Sequence, residues 1–141
     1  MIVLDTNVVS EMMRASPSEA VVAWMARQPA RSLYITSIVV AEISHGILLL
    51  PAGRRRNAIQ AAADAMFQVE FAERILVFDA PAAQAYARIA AGRRRAGRPM
   101  SAFDAQIAAM ALCARACLAT RNVSDFEGCG VALVDPWASG T

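Results

Sequence analysis

Ile2-Val3-Leu4-Asp5-Thr6-Asn7 decides how the rest of the chain is read, because an apolar β-type run ends at once on a carboxylate and a hydroxyl. In an open α/β sheet the ligand crevice lies outside the carboxyl ends of the strands, so a first strand ending at Asp5 delivers an acid to that crevice. The same residues also suit a purely structural role, since Asp, Thr and Asn are all favoured N-caps. The stretch alone leaves both readings open. Three further acids, Glu42, Asp104 and Asp125, follow β-type runs or open helical segments in the same way, and together they favour a site.

Outward from that stretch, short β-type runs alternate with longer helical ones. After the strand over 2–4 come a helix from about Val8, another near 19–26, and a second strand over 33–35. Thr36-Ser37 supplies an N-cap for a helix over 38–50, which Pro51-Ala52-Gly53 stops. Helical spacing continues over 54–71, and a β-type run over 75–78 leads to a helix opened by Asp79 or Ala80 and running through Ala91. Residues 92–99 read as a Gly- and Arg-rich loop. Ser101 then opens an Ala-rich helix to about Arg115, and strands over 117–120 and 131–134 close the pattern. This alternation predicts an α/β fold with a central parallel β-sheet flanked by helices. With no repeat, low-complexity tract or linker, one domain is expected over 1–141.

Composition narrows the function. Hydrophobic residues make up 57% of the chain and the mean hydropathy is +0.37, so apolar surface is expected at an oligomer or partner interface. Glu42, Asp104, Gln106 and Arg115 interrupt the longest apolar stretches, well short of the roughly 18 residues that suggest a membrane span. The opening residues lack the basic region of a signal peptide, so a cytoplasmic protein is expected. Three cysteines without a C-x-x-C pair and a single histidine, His45, argue against a zinc site, which needs about four ligands. His45 has no flanking nucleophile signature, and phosphate-binding Gly-rich loops are absent. The net charge is only +2, yet every basic residue is Arg, with runs at 54–56 and 93–95. Arginine binds phosphate bidentately, so Arg93, Arg94, Arg95 and Arg98, beside an acidic site, are candidates for holding a nucleic-acid backbone.

Each acid also has an ordinary reading. Glu42 lies in an otherwise apolar helix, Asp104 stands three residues after Ser101 as in a capping box, and Asp125 fits a turn. If the four converge, mutual repulsion raises their pKa values unless a cation sits among them. Oxygen ligands of this kind suit Mg²⁺ or Mn²⁺, which promotes phosphodiester hydrolysis.

Four blocks now make the chain recognisable: Ile-Val-Leu-Asp-Thr-Asn-Val-Val-Ser-Glu, Thr-Ser-Ile-Val-Val-Ala-Glu-Ile, Ser-Ala-Phe-Asp-Ala-Gln-Ile-Ala-Ala and Ala-Thr-Arg-Asn-Val-Ser-Asp-Phe. They resemble, in order and over nearly the whole chain, the PIN-domain ribonuclease toxins of the VapC/FitB type, from bacterial type II toxin–antitoxin systems. The resemblance implies a PIN-like fold and a Mg²⁺- or Mn²⁺-dependent endoribonuclease that leaves a 5′-phosphate and a 3′-hydroxyl. It implies Asp5 and Asp104 as main metal ligands, with Glu42 and Asp125 completing the pocket, in part through water. Thr6, Ser37 and Thr120 carry hydroxyls suited to orienting water or phosphate. Asn122 stands where the family often has another Asp, and its amide suits a metal-bound water while lowering the site's charge.

The resemblance also implies a homodimer and a cognate antitoxin that fills the toxin groove, places an Arg or Lys in the acidic pocket and connects the protein to operator DNA. Faces around Val8, Val9, Met12 and Met13, and around Val39, Ile43 and Ile47, are candidates for that groove. Two alternatives stand beside this reading. One is a haloacid dehalogenase-like phosphatase, disfavoured because Asp5-Thr6-Asn7 is not Asp-x-Asp. The other is a catalytically weak PIN module acting mainly with its antitoxin in DNA-bound autoregulation.

Overall fold

Val3 and Leu4 expose no surface, and a strand buried on both faces must be covered by helices on both sides. The computed structural model describes residues 1–138. β1 (Ile2–Leu4) lies at the centre, between β2 (Leu33–Thr36) and β4 (Cys117–Ala119), with β3 (Ile75–Leu76) and β5 (Leu133–Val134) at the edges. All pairings are parallel, and Ile2 is in register with Leu33 on one side and Cys117 on the other. The chain steps outward from β1 through β2 to β3, then crosses to place β4 and β5 on the opposite side. That reversal puts the topological switch point between β1 and β4, where an open α/β sheet forms its crevice. Asp5 and Thr120 are the residues immediately after those two strands.

The helices are α1 (Thr6–Met12), α2 (Glu19–Ala26), α3 (Ser37–Leu48), α4 (Arg54–Ala65), α5 (Ala80–Arg95) and α6 (Ala102–Cys113). α1 begins two residues earlier than its apolar pattern suggests, because Asp5 is itself the N-cap and accepts from the Thr6 N–H at 2.8 Å. Both readings of Asp5 therefore hold at once. α3 is capped by Thr36, whose hydroxyl accepts from the Val39 N–H at 3.1 Å, and it buries Val39, Ile43 and Ile47 at four-residue spacing. Truncating Ile43 to Ala should cost about 2–5 kcal/mol. α6 is buried nearly all round through Ala105, Ile107, Ala108, Ala109, Met110 and Ala111. Such a helix belongs to the core, and its alanines allow close approach. The helical spacing over 54–71 is shared between α4 and a π-helical turn at Met66–Glu70.

The largest departure from the sequence reading lies at 92–99. α5 does not stop at Ala91 but continues through Arg95, since Arg favours helix enough to carry it past Gly92. Gly97, at φ +75°, ends it in a Schellman arrangement: its N–H donates to Arg94 O at 3.1 Å and the Arg98 N–H to Arg93 O at 2.9 Å. The arginine run thus occupies the last helical turn, where cations complement the helix dipole. Among the described residues no helix is long and apolar enough to cross a membrane.

Candidate active site

At the carboxyl edge of the sheet the described residues enclose a hollow of about 490 Å³, with Asp5, Glu42 and Asp104 in its wall. Asp5, 4% exposed, is fixed from several sides. Its Oδ1 accepts from the Thr6 N–H at 2.8 Å, and its Oδ2 from the Thr120 hydroxyl at 2.7 Å and the Asn7 amide at 3.2 Å. The Thr120 hydroxyl in turn accepts from the Asn122 N–H at 3.1 Å, so its single proton is directed to Asp5. The Thr6 hydroxyl donates to Glu42 Oε1 at 2.7 Å, tying α3 to the start of α1. Asp104 stands in the first turn of α6, where the Ser101 hydroxyl accepts its N–H at 3.1 Å.

Burial raises the Asp5 carboxyl above the ordinary range despite its hydrogen bonds, and the charge of Glu42 adds to the rise. Asp104 is also raised, first by burial, then by the charges of Asp5 and Asp125. The charged groups acting on these two acids are thus other acids. The Glu11 end of the hollow is different. Glu11, 6% exposed, accepts from the Ser18 N–H at 2.8 Å and from Arg14 Nη1 at 3.3 Å. The Ser18 bond and the charges of Arg14 and Arg121 hold its carboxyl below the ordinary range.

The expected site residues are not all gathered in the hollow. Thr6 and Asn122 line it, and Thr120 supports it from behind, whereas Ser37 opens α3 outside its lining. Asp125 sits exposed in a 3₁₀ turn at Val123–Phe126, held by the buried Phe126. It reaches Asp104 through its charge and does not line the hollow. Among the described residues, no group of three or more His, Cys, Asp or Glu side chains is close enough to hold a metal ion by itself. The single four-acid cluster expected from the sequence is therefore replaced by a central pair, Asp5 and Asp104, with Glu42 and Asp125 flanking it. That pair still fits a hard cation, because Mg²⁺ keeps several waters and commonly takes only one or two carboxylates.

Arg93 overturns part of the basic-loop expectation. It is 8% exposed, and its guanidinium donates to the carbonyls of Arg98 at 2.6 Å, Asp125 at 3.0 Å and Glu127 at 2.7 Å. A side chain so engaged braces the turn that carries Asp125 and is not free to hold RNA. Arg94 and Arg95 are exposed in the last turn of α5, and Arg98 donates to the Ser124 carbonyl at 3.2 Å. None of these three lines the acidic hollow.

Glu11, Arg14, Arg121 and Trp137, none of them among the residues expected at the site, also line the hollow. The i, i+3 spacing of Glu11 and Arg14 was the one local signal available. A larger groove of about 830 Å³ between α1, α3 and α4 shares Thr6, Ser10, Arg14 and Glu42 with the hollow. Met13, Ile43 and Ile47 line this groove as expected, while Val8, Val9 and Val39 are wholly buried in the core and Met12 lies elsewhere.

The hollow thus combines a buried acid at the switch point of a parallel sheet with a second acid from the first turn of a core helix. The PIN domain model matches residues 2–127. VapC ribonuclease Y4jK of Sinorhizobium fredii is 39% identical over 137 residues, covering 97% of this chain and 98% of the relative. Toxin FitB of Neisseria gonorrhoeae is 39% identical, covering 97% of this chain and 99% of that protein. A structure of FitAB bound to an IR36 DNA fragment superimposes with a TM-score of 0.90 at 39% identity, covering 97% of this chain and 96% of that one. The chain belongs to the PIN-domain family and, within it, to the VapC/FitB type of toxin.

Proposed function

We propose that this protein is the toxin of a type II toxin–antitoxin system and a Mg²⁺- or Mn²⁺-dependent endoribonuclease. The observation that carries the reading is the Asp5–Asp104 pair: both acids are raised first by burial, Asp5 then by the charge of Glu42 and Asp104 by those of Asp5 and Asp125, with no cationic side chain among the described residues acting on either. Such a pair is costly for the empty fold and suits a divalent ion. Asp5 and Asp104 would hold the ion, which when bound polarises the phosphodiester and activates water for its hydrolysis.

The chain's own groups do the positioning. Thr6 and Thr120 fix the two carboxylates they touch, so Asp5 cannot turn away from the hollow. Glu42, anchored through Oε1, keeps its other oxygen for a hydrogen bond from water. Asn122, at the rim, offers an amide to the same water or to phosphate. Asp125 adds negative charge behind Asp104.

Regulation by an antitoxin is supported by the larger groove, which opens onto the acids through shared residues. An extended antitoxin tail lying there would bring an Arg or Lys against Asp5 and Glu42, and its DNA-binding part would carry the complex to operator DNA. The high apolar content and exposed side chains such as Leu49, Val69 and Val77 support a homodimer.

The test is cleavage of RNA by the purified protein with and without Mg²⁺, alone and with antitoxin. The account expects Mg²⁺-dependent cutting that antitoxin silences, and light scattering at about twice the 15.1 kDa chain mass. A folded dimer that forms the DNA-bound complex with antitoxin but does not cut RNA would establish the autoregulatory alternative instead.

A further inference from the structure

Arg121 follows Thr120, the residue that hydrogen-bonds Asp5, and its N–H donates to Asn7 Oδ1 at 3.2 Å. Asn7 also donates to Asp5, so the Arg121 backbone is tied to the same network that fixes the acid. The Arg121 guanidinium carbon lies 5.0 Å from the centre of the Trp137 ring. Trp137 is half-buried against the core, in the turn after β5, with its N–H donating to Asp135 Oδ1 at 2.9 Å. Arg121 itself is exposed, and both side chains line the hollow. Among the described residues Arg121 makes no ion pair; its charge reaches Glu11, which Arg14 and the Ser18 N–H already satisfy.

A guanidinium lying on an aromatic face keeps its planar edge free, and that edge matches phosphate bidentately. The ring also limits the side-chain freedom lost when the phosphate arrives. We propose that Arg121, seated on Trp137, is a substrate-binding residue that takes a phosphate of single-stranded RNA flanking the one at the acid pair, with Trp137 as its positioning residue. The proposal rests on the nuclease reading. It places one phosphate beside the acids and a neighbouring one on the arginine. Single-stranded RNA suits the arrangement, because its backbone can bend into a concave site that a stiff duplex cannot enter.

The experiment measures binding of a short fluorescein-labelled single-stranded RNA of mixed sequence by anisotropy across a KCl series. The parent is the Asp104→Asn protein in EDTA, so that binding is read without turnover, and wild-type cleavage with Mg²⁺ is recorded in parallel. Arg121→Gln should weaken binding and reduce the slope of log affinity against log salt by about 0.7, the value for one phosphate contact on a single strand. Arg121→Lys should keep the slope, and its retained charge guards against a fold defect being mistaken for a lost contact. Trp137→Ala should also keep the slope while weakening binding about two- to fivefold.

If wild type cuts RNA and Arg121→Gln binds with the parent's affinity and slope, this proposal is overturned and the nuclease reading survives. If Arg121→Gln spares RNA binding but loosens the antitoxin complex, the arginine belongs to a protein interface, and the proposal is again overturned. A wild type that neither binds nor cuts RNA overturns both.

Discussion

The two ends of the acidic hollow meet one elementary problem, a carboxylate removed from water, in opposite ways. At one end Asp5 takes hydrogen bonds from Thr6, Thr120 and Asn7, yet burial outweighs them and the charge acting on it is that of another acid, Glu42. At the other end Glu11 receives a main-chain N–H and two arginine charges, and its carboxyl is held low. The first arrangement destabilises the empty fold, whereas the second supports it. A costly cluster beside a satisfied one indicates that the stress is local to the place where a ligand would relieve it.

The largest expected effect comes from breaking the stressed end. Asp104→Asn should lower RNA cleavage about a hundredfold or more, the scale seen when one preorganised electrostatic group is removed. It should also raise the melting temperature in the absence of divalent ions, because repulsion with Asp5 and Asp125 is relieved. Asp5→Asn should not show that gain. An asparagine amide facing both the Thr120 hydroxyl and the Asn7 amide would meet donors where Asp5 Oδ2 accepts. Kinetics and thermal melts of the two variants, measured together, sharpen the distinction between a charge effect and a hydrogen-bond effect.

A smaller effect is expected behind the stressed end, at the brace that carries Asp125. Arg93→Gln should destabilise by about 2–3 kcal/mol, since it removes partly buried charged hydrogen bonds to three main-chain carbonyls. Arg94→Gln and Arg95→Gln should each stay within about 0.5 kcal/mol of wild type. Urea unfolding separates the cases, and equal effects at all three positions would return the run to a uniform solvated face.

The smallest effect is at the satisfied end. Glu11 has a folded-state pKa below its unfolded value, so its stabilisation is present above the unfolded value and is lost as pH falls through the folded one. Glu11→Gln should therefore lower the melting temperature at neutral pH and flatten its decline on acidification below the ordinary glutamate range. Asp104 has the opposite sign: its contribution is largest in acid and is lost as pH rises through its raised pKa. Melting curves taken with EDTA across that range should show the two variants diverging from wild type in opposite directions.

Much of this was legible from residues alone. The strands at Ile2–Leu4 and Leu33–Thr36, the Thr36 and Ser101 caps and the apolar stripe of α3 announce themselves locally, through alternation, four-residue spacing and capping chemistry. The end of α5 did not, because Gly and Pro beside arginines look like a loop until Gly97 is seen to take the left-handed turn. The acids were legible as a set, but their geometry was not. Which of them meet depends on β4 crossing to the far side of β1, and that crossing brings Thr120 onto Asp5 across 115 positions of sequence. Arg121 and Trp137 were silent for the same reason, since their partnership is set by the return of β5 and no local pattern encodes it.

The hollow's two ends are electrostatically distinct, and under the proposed function a divalent ion belongs to the acid pair. The most direct measurement is the shift in melting temperature on adding Mn²⁺ to wild type, Asp104→Asn and Glu11→Gln, because an ion that binds only the folded state stabilises it by about 2.7 kcal/mol at a hundred times its Kd. A rise is expected for wild type and Glu11→Gln, and little or none for Asp104→Asn. A rise for Asp104→Asn equal to that of wild type, or its loss in Glu11→Gln alone, would contradict it.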